Sequence, residues 1–364
     1  MLMGNNSKGS GSRRFLDHKL IFVICSFILS MLVLTVIIFF AGYSPTECYK
    51  ALFHGAFGGL YNIANTLGTS TPLILAGLGM MFAGKSGTFN IGLEGQIIAG
   101  AFVSSLTGIY CAGLPKFIHV PLTIISAMAA GGLWGSLIAV LKRRLNVSEI
   151  IIAIMLNYII DFLTRYLLTY HLSVPGLFVR TDFLPESATL TKFMPFSRLN
   201  TGILFALIMV FIVWYVIDKT TFGFEIRATG YNPHAAESAG ISMKYIPLFT
   251  MFISGAIAGM AGAIEVMGVH NYFTLDITSG YGFTGVAIGI MGGGSALGTL
   301  VSGIVFGALR AGSTNMNRVT AIPGEFIIIF QALVIVFVST PNIARAIFRI
   351  KRKRFTYQGK PEGR

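Results

Sequence analysis

Long uncharged apolar segments recur along this chain, and they limit its fold more than any other feature. An α-helix rises about 1.5 Å per residue, so about 20 apolar residues cross the roughly 30 Å hydrocarbon core of a bilayer. Charged residues make up only 11% of the chain, whereas soluble domains carry about 25%. The sequence therefore predicts an all-α polytopic membrane protein. It excludes a soluble globular enzyme, a disordered chain and a fibrous one.

We predict about ten transmembrane helices, within a range of 8–10. The glycine-rich stretch 277–309 is uncharged over 33 residues and contains three consecutive glycines, Gly292 to Gly294. We predict that these glycines divide it into two short helices; a single tilted helix is the alternative. The predicted spans are Leu20–Ala41, Tyr61–Ala83, Gly92–Tyr110, Val120–Leu141, Ile150–Tyr170, Asn200–Ile217, Tyr245–Gly268, Tyr281–Met291, Ala296–Leu309 and Pro323–Thr340.

The positions of lysine and arginine predict which side of the membrane each loop occupies. Nineteen of the 27 basic residues fall on one predicted side, which the positive-inside rule makes cytoplasmic. An even number of spans then places both termini in the cytoplasm. These basic residues, which give the chain its net charge of +13, thus orient it in a lipid bilayer, and we predict no nucleic-acid partner. The predicted regions are a cytoplasmic tail at 1–19, a transmembrane domain at 20–344 with a cytoplasmic loop at 218–244, and a basic cytoplasmic tail at 345–364.

One segment matches a nucleotide-binding sequence pattern but lacks the strand that should precede it. Gly79 to Ser86 satisfies GxxxxGK[ST], but it continues a predicted membrane span instead of following a strand. Met80, Met81 and Phe82 also fill positions where a phosphate-binding loop needs room. The three cysteines show no metal-ligand spacing, and no catalytic Ser/His/Asp set or carboxylate pair stands out. We therefore predict no cofactor, no metal site and no catalytic residue.

The loop 218–244 contains the signature of a helix of about two turns. Asn232 suits the N-cap, Pro233 the first helical position and Gly240 the left-handed position after the last turn. Such a short helix is marginal in water, so we expect the flanking spans and a docked partner to hold it. A capped surface helix that joins two spans is the alternative. The candidate docking residues are Arg227, Gly230, Asn232, Ala235, Ala236, Glu237 and Gly240.

Three motifs follow one another along the chain. They are Gly87-Thr-Phe-Asn90-Ile91-Gly92-Leu-Glu94-Gly95-Gln96, then Thr221-x-Gly223-x-x-x-Arg227-Ala228-x-Gly230-x-Asn232-x-x-Ala235-Ala236-x-x-x-Gly240-Ile241, then Met291-Gly-Gly-Gly-Ser-Ala-Leu-Gly298-Thr. Together they resemble the permease subunits of bacterial ABC importers in the branched-chain amino acid and simple-sugar group. The first motif is similar to the nucleoside and simple-sugar branch.

This resemblance implies a type II ABC importer permease in the bacterial cytoplasmic membrane. It implies three partners: a second homologous or identical permease, a cytoplasmic ABC ATPase that hydrolyses ATP, and an extracytoplasmic substrate-binding lipoprotein. The loop helix would be the coupling helix that docks on the ATPase. We expect a bulky residue at Gly230 or Ala235 to leave folding intact and to abolish transport. The implied substrates are nucleosides, and simple sugars of the ribose or galactose type are the alternative substrates. A proton-coupled secondary transporter is the alternative type of protein.

Polar side chains inside predicted spans are candidates for the substrate path, because polar groups are costly in a bilayer. The candidates are Phe89, Asn90, Glu94, Gln96, Asn157 and Asn65. For Asn90 and Glu94 the alternative is a capping role at the start of the third span. For Asn157 and Asn65 it is a hydrogen bond to a neighbouring helix.

Two further spacings predict structural contacts. Asp161 and Arg165 lie four residues apart, which predicts an ion pair on one helix face. Gly255-x-x-x-Gly259 and Gly303-x-x-x-Gly307 predict close helix packing.

Overall fold

The structure, a computed structural model, describes residues 28–176, 178–320 and isolated positions between 322 and 336. Both predicted tails, the start of the first predicted span and most of the last one lie outside the described residues. The described helices are α1 (Ile28–Phe40), α2 (Pro45–Phe57), α3 (Leu60–Lys85), α4 (Leu93–Tyr110), α5 (Lys116–Leu145), α6 (Glu149–Leu167), α7 (Gly202–Lys219), α8 (Thr221–Tyr231), α9 (Pro233–Ser238), α10 (Ile246–Glu265), α11 (Tyr281–Met291) and α12 (Ala296–Thr320). Single π-helical turns extend α6 through Leu172 and α10 through His270.

Six of the described helices are long and apolar enough to cross a bilayer: α3, α5, α6, α7, α10 and α12. The predicted count of about ten is therefore not confirmed. Helices α1 and α11 are apolar but shorter, and α4 carries Glu94 and Gln96 in its first turns. Helices α2 and α8 were not predicted. The described residues contain isolated β-bridges and no strand, as an all-α fold requires.

Helices α3 and α10 form the centre of the bundle. In their most apolar stretches, 89% of α3 and 83% of α10 is buried, compared with 33% for each of α5, α6 and α7. The outer helices α6 and α7 instead expose large apolar side chains, which suits a hydrocarbon environment. These include Ile151, Met155, Ile159 and Phe162 on α6, and Leu204, Leu207, Ile208 and Phe211 on α7.

Both predicted small-residue pairs bring helix backbones together. A Cβ at Gly255 would overlap the Gly131 carbonyl oxygen, and one at Gly259 would overlap that of Ala127, so α10 and α5 cross in direct backbone contact. On α12, Gly303 and Gly307 pack closely against α3, where an added Cβ would overlap the side chains of Ile74 and Ser70 and approach their Cα atoms. The prediction of close helix packing is confirmed at both sites.

The glycine-rich stretch near the C-terminal end forms two helices, as predicted. Helix α11 has 11 residues and is about 16 Å long, roughly half of the hydrocarbon core. Helix α12 continues beyond the predicted end at Leu309 to Thr320. It incorporates Arg310, whose guanidinium stacks 4.2 Å from the Tyr281 ring centroid and donates to the Ser279 carbonyl oxygen at 2.9 Å.

Candidate functional site

The loop between α7 and α10 folds into two helices at one end of the bundle. We refer to this as the basic end, because Lys85, Lys142 and the loop 218–244 all lie there. The Asn232 side chain accepts a hydrogen bond from the Ala235 N–H at 3.1 Å, Pro233 begins α9, and Gly240 has φ +86°. The predicted capping pattern of α9 is therefore confirmed.

Only one side of α9 is covered by the rest of the chain. Ala236 is 3% exposed, whereas Ala235, Glu237 and Ser238 are exposed. An apolar side chain thus anchors the short helix, and its remaining faces point away from the bundle. The side chain of Arg227, on α8, is half-buried and lies 3.9 Å from Asp218.

Gly230 has a structural role that the sequence did not reveal. It lies at the end of α8, where a Cβ would overlap the carbonyl oxygen of Lys85, the last residue of α3. A bulky side chain here would push α8 away from α3. The expectation that a bulky Gly230 substitution leaves folding intact is therefore wrong, because the glycine packs α8 against the chain's own backbone. Ala235 has no such constraint.

The motif that resembles a phosphate-binding loop is helical. Gly79 to Lys85 forms the last turns of α3, and Met80, Met81 and Phe82 are buried. Their backbone N–H groups lie within the helix and do not form an open loop that could surround a phosphate.

Two of the candidate path residues, Asn90 and Gln96, form a fully buried network. The Asn90 amide donates to Gln96 Oε1 at 2.9 Å and to Ser254 Oγ at 2.8 Å, and its oxygen accepts from the Gly92 N–H at 3.0 Å. Ser254 in turn donates to the Gly79 carbonyl oxygen at 2.7 Å. The network joins the start of α4 to α3 and α10 and has no exposed surface.

Glu94 caps the N-terminus of the half-length helix α11. Its carboxylate accepts hydrogen bonds from the Thr278 hydroxyl and from the N–H groups of Gly280 (3.2 Å) and Gly282 (2.7 Å). A negative charge at this position satisfies orphan helix donors and complements the helix dipole. The alternative for Glu94 was a capping role at the start of the third span, which is α4. Glu94 instead caps α11.

The two candidate asparagines bind neighbouring segments. Asn157 accepts from the Gly95 N–H at 2.9 Å and donates to the Ile91 carbonyl oxygen at 3.1 Å, which ties α6 to the start of α4. Asn65 accepts from the Arg198 N–H at 3.0 Å. Phe89 lies at the basic end, where it lines a cavity of about 390 Å³ with Lys85 and Arg227.

A second cavity of about 390 Å³ lies between α4, α6 and the segment that leads into α11. We refer to it as the linker cavity, and to residues 271–280 as the linker. Glu94 and Asn157 are the only candidate path residues among the described residues that line it. The other lining residues are Ile98, Ile154, Tyr158, Asp161, Thr164, Arg165, Phe273, Thr274, Leu275, Asp276, Ile277, Thr278, Ser279, Gly280 and Phe283.

An ion-pair chain crosses one wall of the linker cavity. Arg165 Nε donates to Asp161 at 2.9 Å, which confirms the predicted pair, and Arg165 Nη2 donates to Asp276 at 2.5 Å. Asp276 lies 111 residues away in sequence. Sequence spacing therefore found the local pair and missed its third member.

The linker has a strained backbone. Asn271, Asp276 and Ser279 have φ values of +61°, +58° and +45°, in the left-handed region that non-glycine residues rarely adopt. Such residues concentrate at functional sites, where the surrounding contacts hold them in place. Here side chains from three helices hold the linker: Glu94 of α4, Arg165 of α6 and Arg310 of α12.

Next to the linker lies a buried charge cluster that the sequence analysis missed. Arg198 forms an ion pair with Glu265, which is 2% exposed, and donates to the Tyr281 hydroxyl at 3.1 Å. Burial alone would lower the pKa of Arg198, but the Glu265 carboxylate raises it above its ordinary value, so the guanidinium stays charged. The signal for this cluster was the charge of Glu265 inside a predicted span.

The chain matches a protein family over most of its length. Residues 62–339 match the family described as branched-chain amino acid transport system / permease component. The chain is 38% identical over 344 residues to the guanosine ABC transporter permease protein NupP of Bacillus subtilis, covering 93% of this chain and 98% of that protein.

Two other relatives have different named substrates. The nucleoside ABC transporter permease protein NupB of Lactococcus lactis is 32% identical, with 90% of this chain and 92% of that protein covered. The glucose ABC transporter permease protein TsgB13 of Haloferax volcanii is 31% identical, with 81% and 80% covered. No solved structure matches the chain.

Proposed function

This chain belongs to the family of branched-chain amino acid transport system permease components, and from that premise we propose that it forms the membrane path of an ATP-driven nucleoside importer. The chain is a permease subunit and not itself an enzyme. The observation that carries the nucleoside assignment is its similarity, at 38% and 32% identity over at least 90% of the chain, to permeases named for guanosine and for nucleosides. The glucose permease at 31% identity favours a sugar as the second candidate.

An uptake experiment separates these two substrate classes. Cells that express the permease with its second permease subunit, its ATPase and its binding protein are given labelled guanosine, in the presence of excess inosine or excess glucose. We expect inosine to suppress guanosine uptake and glucose to leave it unchanged. Labelled glucose uptake without guanosine uptake would instead assign the chain to the sugar class.

The exposed polar groups on one face of the bundle support a location for the path. Along α6, Asp161 lies 12 residues after Glu149, or about 18 Å from the basic end. Charged groups at this depth face water or protein instead of lipid. The side chains of Asp161, Arg165 and Asp276 keep 29%, 34% and 76% of their surface exposed. The face with the linker cavity therefore borders the path or a second permease subunit, homologous or identical, and the apolar faces of α6 and α7 border lipid.

Docking of α9 on the ATPase would transmit the energy of ATP hydrolysis. Helix α9 is anchored by one buried alanine and presents its other faces outward at the basic end. Movement of α9 would reach the bundle through α8, whose Gly230 contacts the end of α3, the central helix. This assignment places the basic end and both termini in the cytoplasm, and the binding lipoprotein at the opposite end. The membrane is then the bacterial cytoplasmic membrane.

Ala235→Trp tests the coupling role without disturbing the bundle. Since Ala235 is exposed, we expect normal membrane insertion and a normal melting temperature, loss of ATPase co-purification and at least a tenfold fall in uptake. Ala112→Trp is the control for ATPase co-purification, because Ala112 is an exposed alanine at the end of the bundle opposite the loop. Normal ATPase binding and uptake in the Ala235 variant would exclude α9 as the docking element.

A further inference from the structure

The linker cavity combines groups of two kinds that suit one class of solute. Its volume of about 390 Å³ lies within the range of about 300–1,000 Å³ common to small-molecule sites. Two aromatic side chains on its wall, Tyr158 and Phe283, are 57% and 53% exposed, so their rings are available for stacking. The linker contributes hydroxyl and carboxylate groups from Ser279 and Asp276.

Asp276 is an exposed acidic residue on the wall of this cavity. Its contact with Arg165 engages Oδ1, whereas 76% of the side chain remains exposed. A carboxylate offers about four lone-pair sites, so it can accept further hydrogen bonds from vicinal hydroxyls. Arg165 also pairs with Asp161, which holds the guanidinium in place beside Asp276.

Glu94, by contrast, is already occupied. Its two carboxylate oxygens accept three hydrogen bonds, from Thr278 and Gly280 of the linker and from Gly282 of α11, and the residue is 8% exposed. Glu94 therefore fixes the position of the linker, and Asp276 is the carboxylate that faces the open part of the cavity.

We propose that the linker cavity is a subsite for nucleosides, in which Asp276 accepts hydrogen bonds from the ribose hydroxyls and Tyr158 and Phe283 contact the base. This inference rests on the proposed nucleoside transport and adds the residues that recognise the solute. A neutral solute with an aromatic base and a hydroxylated ring matches both kinds of group. Arg165 holds Asp276 of the strained linker in its left-handed conformation, and Glu94 holds the start of α11.

The test compares two labelled solutes that differ only in the ribose hydroxyls, guanosine and 2′,3′-dideoxyguanosine. Uptake of each is measured in proteoliposomes that contain the complete transporter, with wild-type permease or with Asp276→Gly. Glycine tolerates the φ of +58° at this position, so the variant removes the carboxylate without adding backbone strain. Dividing variant uptake by wild-type uptake for each solute cancels the selectivity of the binding protein.

We expect Asp276→Gly to lower guanosine uptake about tenfold more than dideoxyguanosine uptake, a difference of about 1.4 kcal/mol. Asp276→Asn keeps one acceptor oxygen and should give a smaller shift in the same direction. Asp182→Ala is the matched control, because Asp182 is an exposed acid outside the cavity. It should change guanosine uptake and dideoxyguanosine uptake by the same factor.

Three results would overturn the subsite. One is an equal loss of guanosine and dideoxyguanosine uptake in both Asp276 variants, which indicates a purely structural residue. Another is a selective loss of guanosine uptake in Asp182→Ala as large as that in Asp276→Gly. In both cases wild-type guanosine uptake still supports the proposed function. The third is wild-type protein that takes up no nucleoside, which refutes the proposed function and the subsite together.

Discussion

Replacement of Glu265 by glutamine should strongly destabilise the protein. The Glu265 side chain is buried beside Arg198, Tyr281 and His270. Glutamine has nearly the same volume, so the change removes the negative charge without opening a cavity. The guanidinium of Arg198 would then lie in the interior without a compensating charge.

The magnitude follows from the exposure of the two partners. Removing one partner of a fully buried ion pair costs about 3–5 kcal/mol. Because the Arg198 side chain keeps 36% of its surface exposed, water compensates part of this loss, and we expect about 3 kcal/mol. In the double variant Arg198→Gln/Glu265→Gln neither partner of the pair is left as an unpaired charge. Its loss in free energy of unfolding should therefore be smaller, by about 1–3 kcal/mol, than the sum of the losses in the two single variants.

Thermal unfolding of the detergent-purified protein, followed by tryptophan fluorescence, measures both effects. We expect the melting temperature to fall by several degrees in Glu265→Gln and to recover in part in the double variant. A single variant as stable as the wild type, or strictly additive losses, would refute the interpretation of Arg198 and Glu265 as a coupled buried pair.

Three further changes test other contacts. Glu94→Gln removes the charge at the N-terminus of α11, and we expect a loss of about 1 kcal/mol and slower uptake with unchanged solute selectivity; wild-type stability and kinetics would contradict its capping role. Asn90→Ala breaks a buried network and should cost about 1–3 kcal/mol, which a wild-type melting temperature would disprove. Gly259→Leu collides with the α5 backbone and should abolish the monodisperse size-exclusion peak, whereas Gly176→Ala, at a position with open space, should retain it; equal behaviour of the two variants would refute the packing.

Local patterns in the sequence predicted local structure well. The caps of α9 depend on Asn232, Pro233 and Gly240, which act within one short segment, and all three adopt the predicted positions. The division of 277–309 also follows from local chemistry, because consecutive glycines interrupt a helix. The start of α4 was similarly predicted to within a residue.

Contacts between distant segments were not predictable in the same way. A glycine is needed at position 230 because the end of α3 packs against it. No sequence spacing distinguishes a glycine that contacts its own chain from one that makes room for a partner protein. Asp276 joins Arg165 from 111 residues away, and Glu94 caps a helix that begins 187 residues later. A single sequence indicates which residues are costly to bury, but the fold decides which of them meet.

ATP-dependent uptake in a defined system tests whether this chain is the permease of an ATP-driven importer. The purified permease is reconstituted in vesicles with the second permease subunit and the binding protein, with or without the ATPase, and labelled guanosine is measured inside the vesicles. We expect accumulation only when the ATPase and ATP are both present. Accumulation driven by a proton gradient with the permease alone would contradict this expectation.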